Sequence, residues 1–408
     1  MLGELKTLDR SQWSAVIASF LGWTLDAFDF FLMVFMVKAI AAEFGTDAKT
    51  VSWAVTLTLA ARPFGALLFG WLADRFGRRP ILMIDILLFS ILEFASAFAP
   101  SLWSLIVIRI LFGFAMGGEW GIGASLVMES IPPKTRGLIS GLLQEGYACG
   151  YLLAAVVYYF LFDTIGWRGM FMVGIVPALL VVVIRLWVKE SPAFEEARHK
   201  GDRPDPFALL IKHWKTAAYV VVLMTAFNFF SHGSQDVYPL FLQTEHKFDT
   251  HTVGLVTAIM NVGAITGGLI FGALSDRFSR RWAIIVAALL ALPIIPLWAF
   301  SHTAAMLAVG AFLMQVAVQG AWGVVPVHIN ELAPDGARGM FPGFAYQAGN
   351  FIASINLRLQ TGIAETSSYS HAMGLVIGVT AVVLAVWTFV GPEKKGVALK
   401  ARRPIRRA

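Results

Sequence analysis

Long apolar stretches separated by short polar segments follow one another along almost the whole chain. A helix needs about 20 mostly apolar residues to cross the hydrocarbon core of a bilayer. Twelve stretches reach this length, so we predict an all-α membrane protein with twelve spans, numbered in chain order. Their predicted bounds are 14–41, 50–73, 80–99, 102–130, 137–161, 168–188, 215–243, 252–274, 282–300, 304–331, 341–364 and 371–390.

The composition supports a lipid environment. Of the 408 residues, 57% are hydrophobic and only 14% are charged, whereas soluble proteins carry about 25% charged residues. The net charge of +6 sits at the ends of the apolar stretches, which argues against a nucleic-acid partner. The single cysteine, Cys149, excludes an intrachain disulfide and a cysteine-based metal cluster within one chain.

The positions of lysine and arginine predict the orientation. If both termini face the cytoplasm, 24 of the 32 Lys and Arg residues lie in cytoplasmic segments and four lie in outer loops. This imbalance is the one that orients membrane proteins. With short loops and a short tail, it predicts a prokaryotic inner-membrane protein with both termini inside, which we expect to be a monomer.

Three motifs recur with one offset of 202 residues. The segment that begins at Gly70 (GWLADRFGRR) recurs at Gly272 (GALSDRFSRR), the segment at Glu129 (ExxPxxxRG) recurs at Glu331, and the segment at Gly118 (GxWG) recurs at Gly320. A duplicated six-helix unit explains this register, and such units rock around a central site in transporters. We predict an N-terminal bundle (1–188), a cytoplasmic linker (189–214), a C-terminal bundle (215–391) and a basic cytoplasmic tail (392–408).

The repeated motifs place acids beside basic residues at the cytoplasmic ends of the spans. Such charges either hold one bundle against the other while the cytoplasmic side is closed, or only set topology and cap helices. We expect both roles. The candidate gating residues are Asp74, Arg75, Arg78, Arg79, Glu129, Arg136, Asp276, Arg277, Glu331 and Arg338.

These motifs resemble a known family. The pattern GxxxDRxGRR between spans 2 and 3 is similar to the signature of the major facilitator superfamily, and Arg109-xxx-Gly113-xxx-Gly117 in span 4 is similar to a second motif of that superfamily. The second copy departs from the signature at Ser279. The resemblance implies two pseudo-symmetric six-helix bundles and transport by alternating access, and it favours a structural role for Arg109.

Span 7 carries a polar stripe. Asn228, Ser231, His232, Gln235 and Asp236 follow one another at i, i+3, i+4, i+7 and i+8, so they share one face of a helix. His232 and Asp236 are one turn apart and can touch. A histidine beside a carboxylate can hold or pass a proton near neutral pH. Hydrogen bonding between helices is the alternative role, but we favour a proton site for His232 and Asp236.

Spans 1 and 2 carry further charges at membrane depth, where each costs roughly 2.5–3.5 kcal/mol at a helix centre. Arg62 presents a planar fork that suits a carboxylate. It either anchors an anionic substrate, which we favour, or pairs with Asp26 or Asp29 of span 1. At the 202-residue offset Asp26 corresponds to Asn228 and Arg62 to Ala264, so these charges are not repeated as the scaffold motifs are.

Other polar residues lie at similar depth. Glu119 and Glu145 either relay protons or are protonated packing residues, and Arg358 either guides an anion inward or pairs with Asp236. The substrate-contact candidates are Arg62, Gln144, Asn228, His232, Gln235, Tyr346 and Asn350. The proton-coupling candidates are Asp26, Asp29, Glu119, Glu145, His232 and Asp236.

The run Asn228-xx-Ser231-His232-x-Ser234-Gln235-Asp236 resembles the span-seven signature of the sialate:proton symporter family, in its lactate and pyruvate permease branch. Leu240 departs from that signature. The resemblance implies import of a small monocarboxylate with a proton, with His232 and Asp236 as coupling residues and Arg62 as a carboxylate contact. The short polar linker disfavours sialic acid, whose transporters carry extra helices there.

Alternative functions are a proton symporter of another organic anion (an aromatic acid, a dicarboxylate or sialic acid), a drug exporter, and a non-transporting receptor. We do not expect an enzyme, because the chain has no phosphate loop, no nucleophile elbow and no metal-ligand spacing. We expect a small organic anion, a proton and the lipid bilayer as partners, and no cofactor or metal, because the proton gradient drives the cycle.

Overall fold

The computed structural model describes residues 6, 8–199, 205–397 and 399. Most of the predicted basic tail (392–408) and residues 200–204 of the predicted linker lie outside the described residues. The described chain is almost entirely helical. Short segments at Pro192–His199 and Pro206–Lys212 form helices of the linker.

Each predicted span corresponds to a helix or to a pair of helices. Several are longer than predicted, and spans 4, 5, 6, 7, 10 and 11 are broken. The bounds are Arg10–Glu43 (span 1), Ala48–Phe76 (2), Arg78–Ser96 (3), Leu102–Met116 and Glu119–Ser130 (4), Arg136–Gln144 and Gly146–Val173 (5 and the start of 6), Pro177–Trp187 (6), Trp214–Gln235 and Tyr238–Thr244 (7), Thr250–Arg277 (8), Arg280–Ala299 (9), Ala304–Trp322 and Val325–Leu332 (10), Phe341–Ala353 and Asn356–Thr366 (11), and Tyr369–Val390 (12).

Not every span is apolar enough to be recognised as membrane-spanning by itself. Among the described residues, seven helices have the length and hydropathy to cross a membrane, and a bent helix pair around span 7 would be an eighth. One of the seven, Pro133–Ile184, contains both span 5 and span 6, which meet at a break in the helix at Gly166, where φ is +62°. Span 3 is not among the seven, because it contains four charged residues, Arg78, Arg79, Asp85 and Glu93.

Close backbone contact explains several glycines at the breaks. Span 4 breaks after Met116, and a Cβ on Gly117 would lie 2.8 Å from the backbone nitrogen of Ala66 in span 2. The arrangement recurs where span 10 meets span 8, since a Cβ on Gly323 would lie 2.8 Å from Cα of Gly268. The helices can therefore approach only where a side chain is missing.

A buried ion pair joins spans 3 and 4 inside the N-terminal bundle. The Arg109 guanidinium donates to Glu93, and both side chains are fully buried. The guanidinium also lies 3.8 Å from the ring centre of Phe112. Arg109 therefore has the contacts of a packing residue. Arg358, in contrast, is exposed on span 11, and the expected alternative of an ion pair with Asp236 is not found in the described structure, where Asp236 pairs with His232.

Replacing Arg109 should destabilise the bundle. Arg109→Gln leaves the buried Glu93 without its cation, and removal of one partner of a buried ion pair costs about 3–5 kcal/mol. We expect a clearly lower melting temperature in detergent by intrinsic fluorescence. The control Arg358→Gln removes an exposed charge and should change the melting temperature little. Equal melting temperatures for the two variants would contradict the structural role of Arg109.

Candidate functional site

We call the end of the helices that carries the repeated motifs the inner end; it is the end predicted to face the cytoplasm. Two carboxylates join the bundles there. Asp74 accepts hydrogen bonds from the backbone N–H groups of Gly339 (2.8 Å) and Met340 (2.9 Å), just before span 11. Asp276 accepts from Gly137 (2.8 Å) and Leu138 (3.0 Å), in the first turn of span 5. These N–H groups have no partner within their own helix.

Arginines hold both carboxylates in place. Arg78 lies 2.8 Å from Asp74 and 3.1 Å from Glu129. In the second half, Arg280 lies 2.8 Å from Asp276 and 3.2 Å from Glu331. The contacts repeat at the 202-residue offset of the sequence motifs.

Two longer ion pairs cross between the bundles. Arg136 lies 3.9 Å from Glu331, and Arg338 lies 4.0 Å from Glu129. Together with Asp74 and Asp276, these residues form what we call the inner gate. All hydrogen bonds and ion pairs found between the two bundles in the described ranges lie at this end.

Two of the predicted gating arginines, Arg75 and Arg277, lie outside these contacts in the described structure. Arg75 is exposed and lies 5.5 Å from the ring of Trp71 on its own helix, and Arg277 is exposed. The backbone N–H of Arg79 donates to Glu190 at 3.1 Å.

Two acids of the inner end escape the sequence analysis. Glu190 of the linker accepts from the backbone N–H of Arg78 at 3.0 Å and so caps span 3. Burial raises the pKa of Glu190, although Arg78 and the N–H donors oppose this. Glu393 accepts from the backbone N–H of Arg280 at 2.8 Å and caps span 9. Both residues could have been found in the sequence, because each is an acid that lies two or three residues after the last span of its half.

In the N-terminal bundle the structure brings together Arg62 and Asp26. A guanidinium nitrogen of Arg62 donates to Asp26 at 2.8 Å, and both side chains are buried. Aromatic rings pack beside this pair, with ring centres 6.4 Å apart for Trp23 and Trp120 and 4.7 Å apart for Trp120 and Tyr346. The alternative of an internal ion pair thus holds in this conformation.

In the C-terminal bundle the polar stripe of span 7 forms a hydrogen-bonded cluster. His232 Nδ1 lies 3.2 Å from Asp236, and His232 Nε2 lies 3.1 Å from Asn350 of span 11. Gln235 donates to Gln315 of span 10 at 3.0 Å. The side chains of His232 and Asp236 are 31% and 33% exposed.

Other predicted site residues have different surroundings. Asn228 donates to the carbonyl of Met224 in its own helix at 2.8 Å. Gln144 accepts a hydrogen bond from the indole of Trp120 at 3.3 Å. Tyr147 interacts electrostatically with Arg62 and Asp26 of the N-terminal bundle and with Asp236 of the C-terminal bundle.

Buried acids surround the Arg62–Asp26 pair. The carboxylate oxygens of Asp29 and Glu119 are buried without hydrogen-bond donors in the described residues, and neither approaches His232. Two further buried acids, Asp85 and Glu93 of span 3, are not among the site residues predicted from the sequence. Asp85 is fully buried and interacts electrostatically with Asp26 and Arg62. The signal would have been two acids within a single apolar stretch, at positions seven and fifteen after Arg78.

Comparison with known proteins agrees with this architecture. The family model described as Major Facilitator Superfamily matches residues 13–235, and the model described as Sugar (and other) transporter matches residues 207–395. The chain belongs to the major facilitator superfamily. The two models together cover both bundles.

Curated relatives align over most of the chain. A putative metabolite transport protein of Haemophilus influenzae is 31% identical over 95% of this chain and 98% of its own length. A carboxylic acid transporter protein homolog of Saccharomyces cerevisiae is 27% identical, over 96% of this chain and 70% of its own. A probable 4-methylmuconolactone transporter of Cupriavidus pinatubonensis is 29% identical over 94% and 91%.

The fold also matches a solved structure. The proton:xylose symporter XylE, solved with a bound halogenated deoxyglucose, superposes with a TM-score of 0.79 at 20% identity, over 95% of this chain and 98% of that one. This likeness confirms the all-α major facilitator fold. The protein is thus an integral membrane transporter that carries a small solute, not an enzyme.

Loss of either bridging carboxylate should weaken the inner gate. Asp74→Asn and Asp276→Asn each remove a charge that accepts two backbone hydrogen bonds, and such charged bonds contribute about 1.5–3 kcal/mol each. We expect a larger population with the inner end open in both variants. The distance between spin labels at Phe76→Cys and Phe278→Cys, both exposed positions at the inner end, measures this population in a Cys149→Ser background.

Glu43→Gln at the opposite end of span 1 provides the control and should not change the label distance. Glu43 pairs with Arg168, far along the chain from the inner gate. An unchanged distance distribution in both aspartate variants would show that these carboxylates do not hold the bundles together.

Proposed function

We propose that this transporter imports an organic carboxylate together with a proton. The observation that carries the proposal is Arg62, a buried guanidinium at mid-span whose partner is the single carboxylate of Asp26, 2.8 Å away. An arginine fork binds a substrate carboxylate in the same geometry. The organic-acid names of two relatives support this chemistry.

Substrate binding would be a competition for Arg62. The substrate carboxylate replaces Asp26 on the guanidinium, and Asp26 then has no cation. An unpaired carboxylate buried at membrane depth is costly. Asp26 therefore binds a proton when the substrate arrives, which couples the two ligands within one site.

The His232–Asp236 pair would supply the second proton-binding group. It lies in the opposite bundle, and its two side chains are 31% and 33% exposed. A proton on this pair removes a negative charge or leaves an imidazolium opposite the substrate. The loaded site is then close to neutral, and the half-loaded site is penalised by its charge.

The class of substrate extends beyond lactate and pyruvate. The span 7 run favours these small monocarboxylates, whereas the relatives include transporters named for carboxylic acids and for a muconolactone. The rings of Trp23, Trp120, Tyr147 and Tyr346 lie near Arg62 and can pack against a planar acid. These observations support the broader class of organic acids, including unsaturated and aromatic ones.

The proposed setting follows from the charge pattern. Both termini and the inner gate face the cytoplasm of a prokaryotic cell, and the inner membrane supplies the proton gradient. The functional unit is one chain, because the residues of the proposed site all come from its two bundles.

The first test is uptake into proteoliposomes that contain the purified protein. We expect labelled L-lactate to accumulate with an inward proton gradient and a protonophore to abolish the accumulation. Unlabelled pyruvate, cis,cis-muconate, benzoate and xylose then compete in parallel at one pH. Competition by the acids and not by xylose supports the proposal. If no acid is taken up or competes while the protein remains folded, carboxylate transport is excluded.

Arg62 and the His232–Asp236 pair should have separable effects. Arg62→Gln removes the anchor, so we expect at least a tenfold higher KM for the acid, or no uptake. Asp236→Asn leaves Arg62 intact, so we expect loss of gradient-driven accumulation with substrate exchange between the two sides retained. Arg358→Gln is the matched control for Arg62→Gln, because it also removes an arginine from a span. Normal accumulation by Asp236→Asn and His232→Ala would contradict the coupling role.

A further inference from the structure

Glu145 occupies a point of contact between the two bundles. It lies at the break in span 5, between the helices Arg136–Gln144 and Gly146–Val173, and is only 4% exposed. A Cβ on Gly268 of span 8 would overlap with Oε1 of Glu145. The carboxyl group is thus pressed against the backbone of the opposite bundle.

Nothing in the described structure compensates a charge at this position. Oε1 of Glu145 is buried without a hydrogen-bond partner, and no cation interacts with the group. Cys149, one turn further along span 5, is the titratable side chain that interacts with it. Span 8 presents Gly268, and span 10 presents the carbonyl of Gln319 near Gly268. An ionised carboxylate without a partner costs several kcal/mol, so this arrangement favours the neutral form of Glu145.

The second interface between the bundles shows that packing does not require an acid here. At the 202-residue offset Glu145 corresponds to Gln347 of span 11, and Gly268 corresponds to Ala66 of span 2. Gln347 is 1% exposed, and both its amide atoms are also without partners. A neutral amide therefore fills the equivalent place. The two contacts are similar, but only the one with the carboxyl group of Glu145 has a group that can titrate.

The position of Glu145 relative to the inner gate decides when it titrates. Gly137 and Leu138, about two turns earlier in span 5, donate to Asp276 of span 8. Opening of the inner gate separates these same two spans, which admits water from the inner side to Glu145. A hydrated glutamate is ionised at neutral pH.

We propose that Glu145 takes up a proton from the inner side whenever the inner gate closes and releases it to the same side whenever the gate opens. The proton is not carried across the membrane. It makes the equilibrium between the two conformations depend on the pH at the inner side. Acidification there favours the closed gate. The inference goes beyond the proposed function and requires only that the two bundles alternate.

The label pair at Phe76→Cys and Phe278→Cys tests this in nanodiscs without substrate. Closing takes up one proton, so the ratio of closed to open protein should rise by up to about tenfold per unit decrease in pH over part of the range from pH 9 to 5. Glu145→Gln mimics the protonated side chain. Its distance distribution should match that of the parent protein at low pH and should not change with pH.

Glu145→Asp keeps a titratable group and should retain a pH-dependent distance. The proposal is overturned if Glu145→Gln retains the pH dependence of the parent, or if the parent has none. Neither measurement uses a substrate or a gradient, so a failure of acid uptake would leave this result unaffected. The two proposals can therefore fail separately.

Discussion

The contact on which the rest of the structure depends is the bridge from a carboxylate of one bundle to the backbone of the other. Asp74 and Asp276 each accept two N–H groups at the start of a span in the opposite bundle. Those N–H groups would otherwise be unsatisfied, and a helix start favours a negative charge. Each bridge thus completes the start of one helix and joins the bundles. Arg78 and Arg280 are placed where they neutralise these carboxylates.

The charges inside the bundles are arranged differently from those that join the bundles. The pairs Arg62–Asp26 and Arg109–Glu93 each combine one guanidinium with one carboxylate away from water, as a low-dielectric interior demands. Further buried acids such as Asp85 have no such partner. None of the four paired residues is repeated in the other half at the 202-residue offset. The repeated charges therefore belong to the scaffold, and the unrepeated ones distinguish the two bundles.

Much of the fold follows from the sequence, because lipid imposes length, apolarity and positive loops on every span. The pairs Arg62–Asp26 and His232–Asp236 could also be predicted, the second from helical spacing alone. A repeat shows that a residue recurs but not where its side chain points, so Arg75 and Arg277 were grouped with Arg78. Glu93 is not predicted, because no repeated motif or helical spacing links it to Arg109. The helix breaks depend on backbone contacts such as Gly117 with Ala66, which no local pattern encodes.

The pairing of Arg62 with Asp26 has a consequence for the unloaded carrier. Because the guanidinium already has a counter-ion from its own chain, the empty protein does not have to expose an unmatched cation at membrane depth. If Arg62 binds the carboxylate of the cargo as proposed, this internal ion pair would allow the empty protein to change conformation without cargo. The salt bridge would then permit net flux of the solute instead of one-for-one exchange alone.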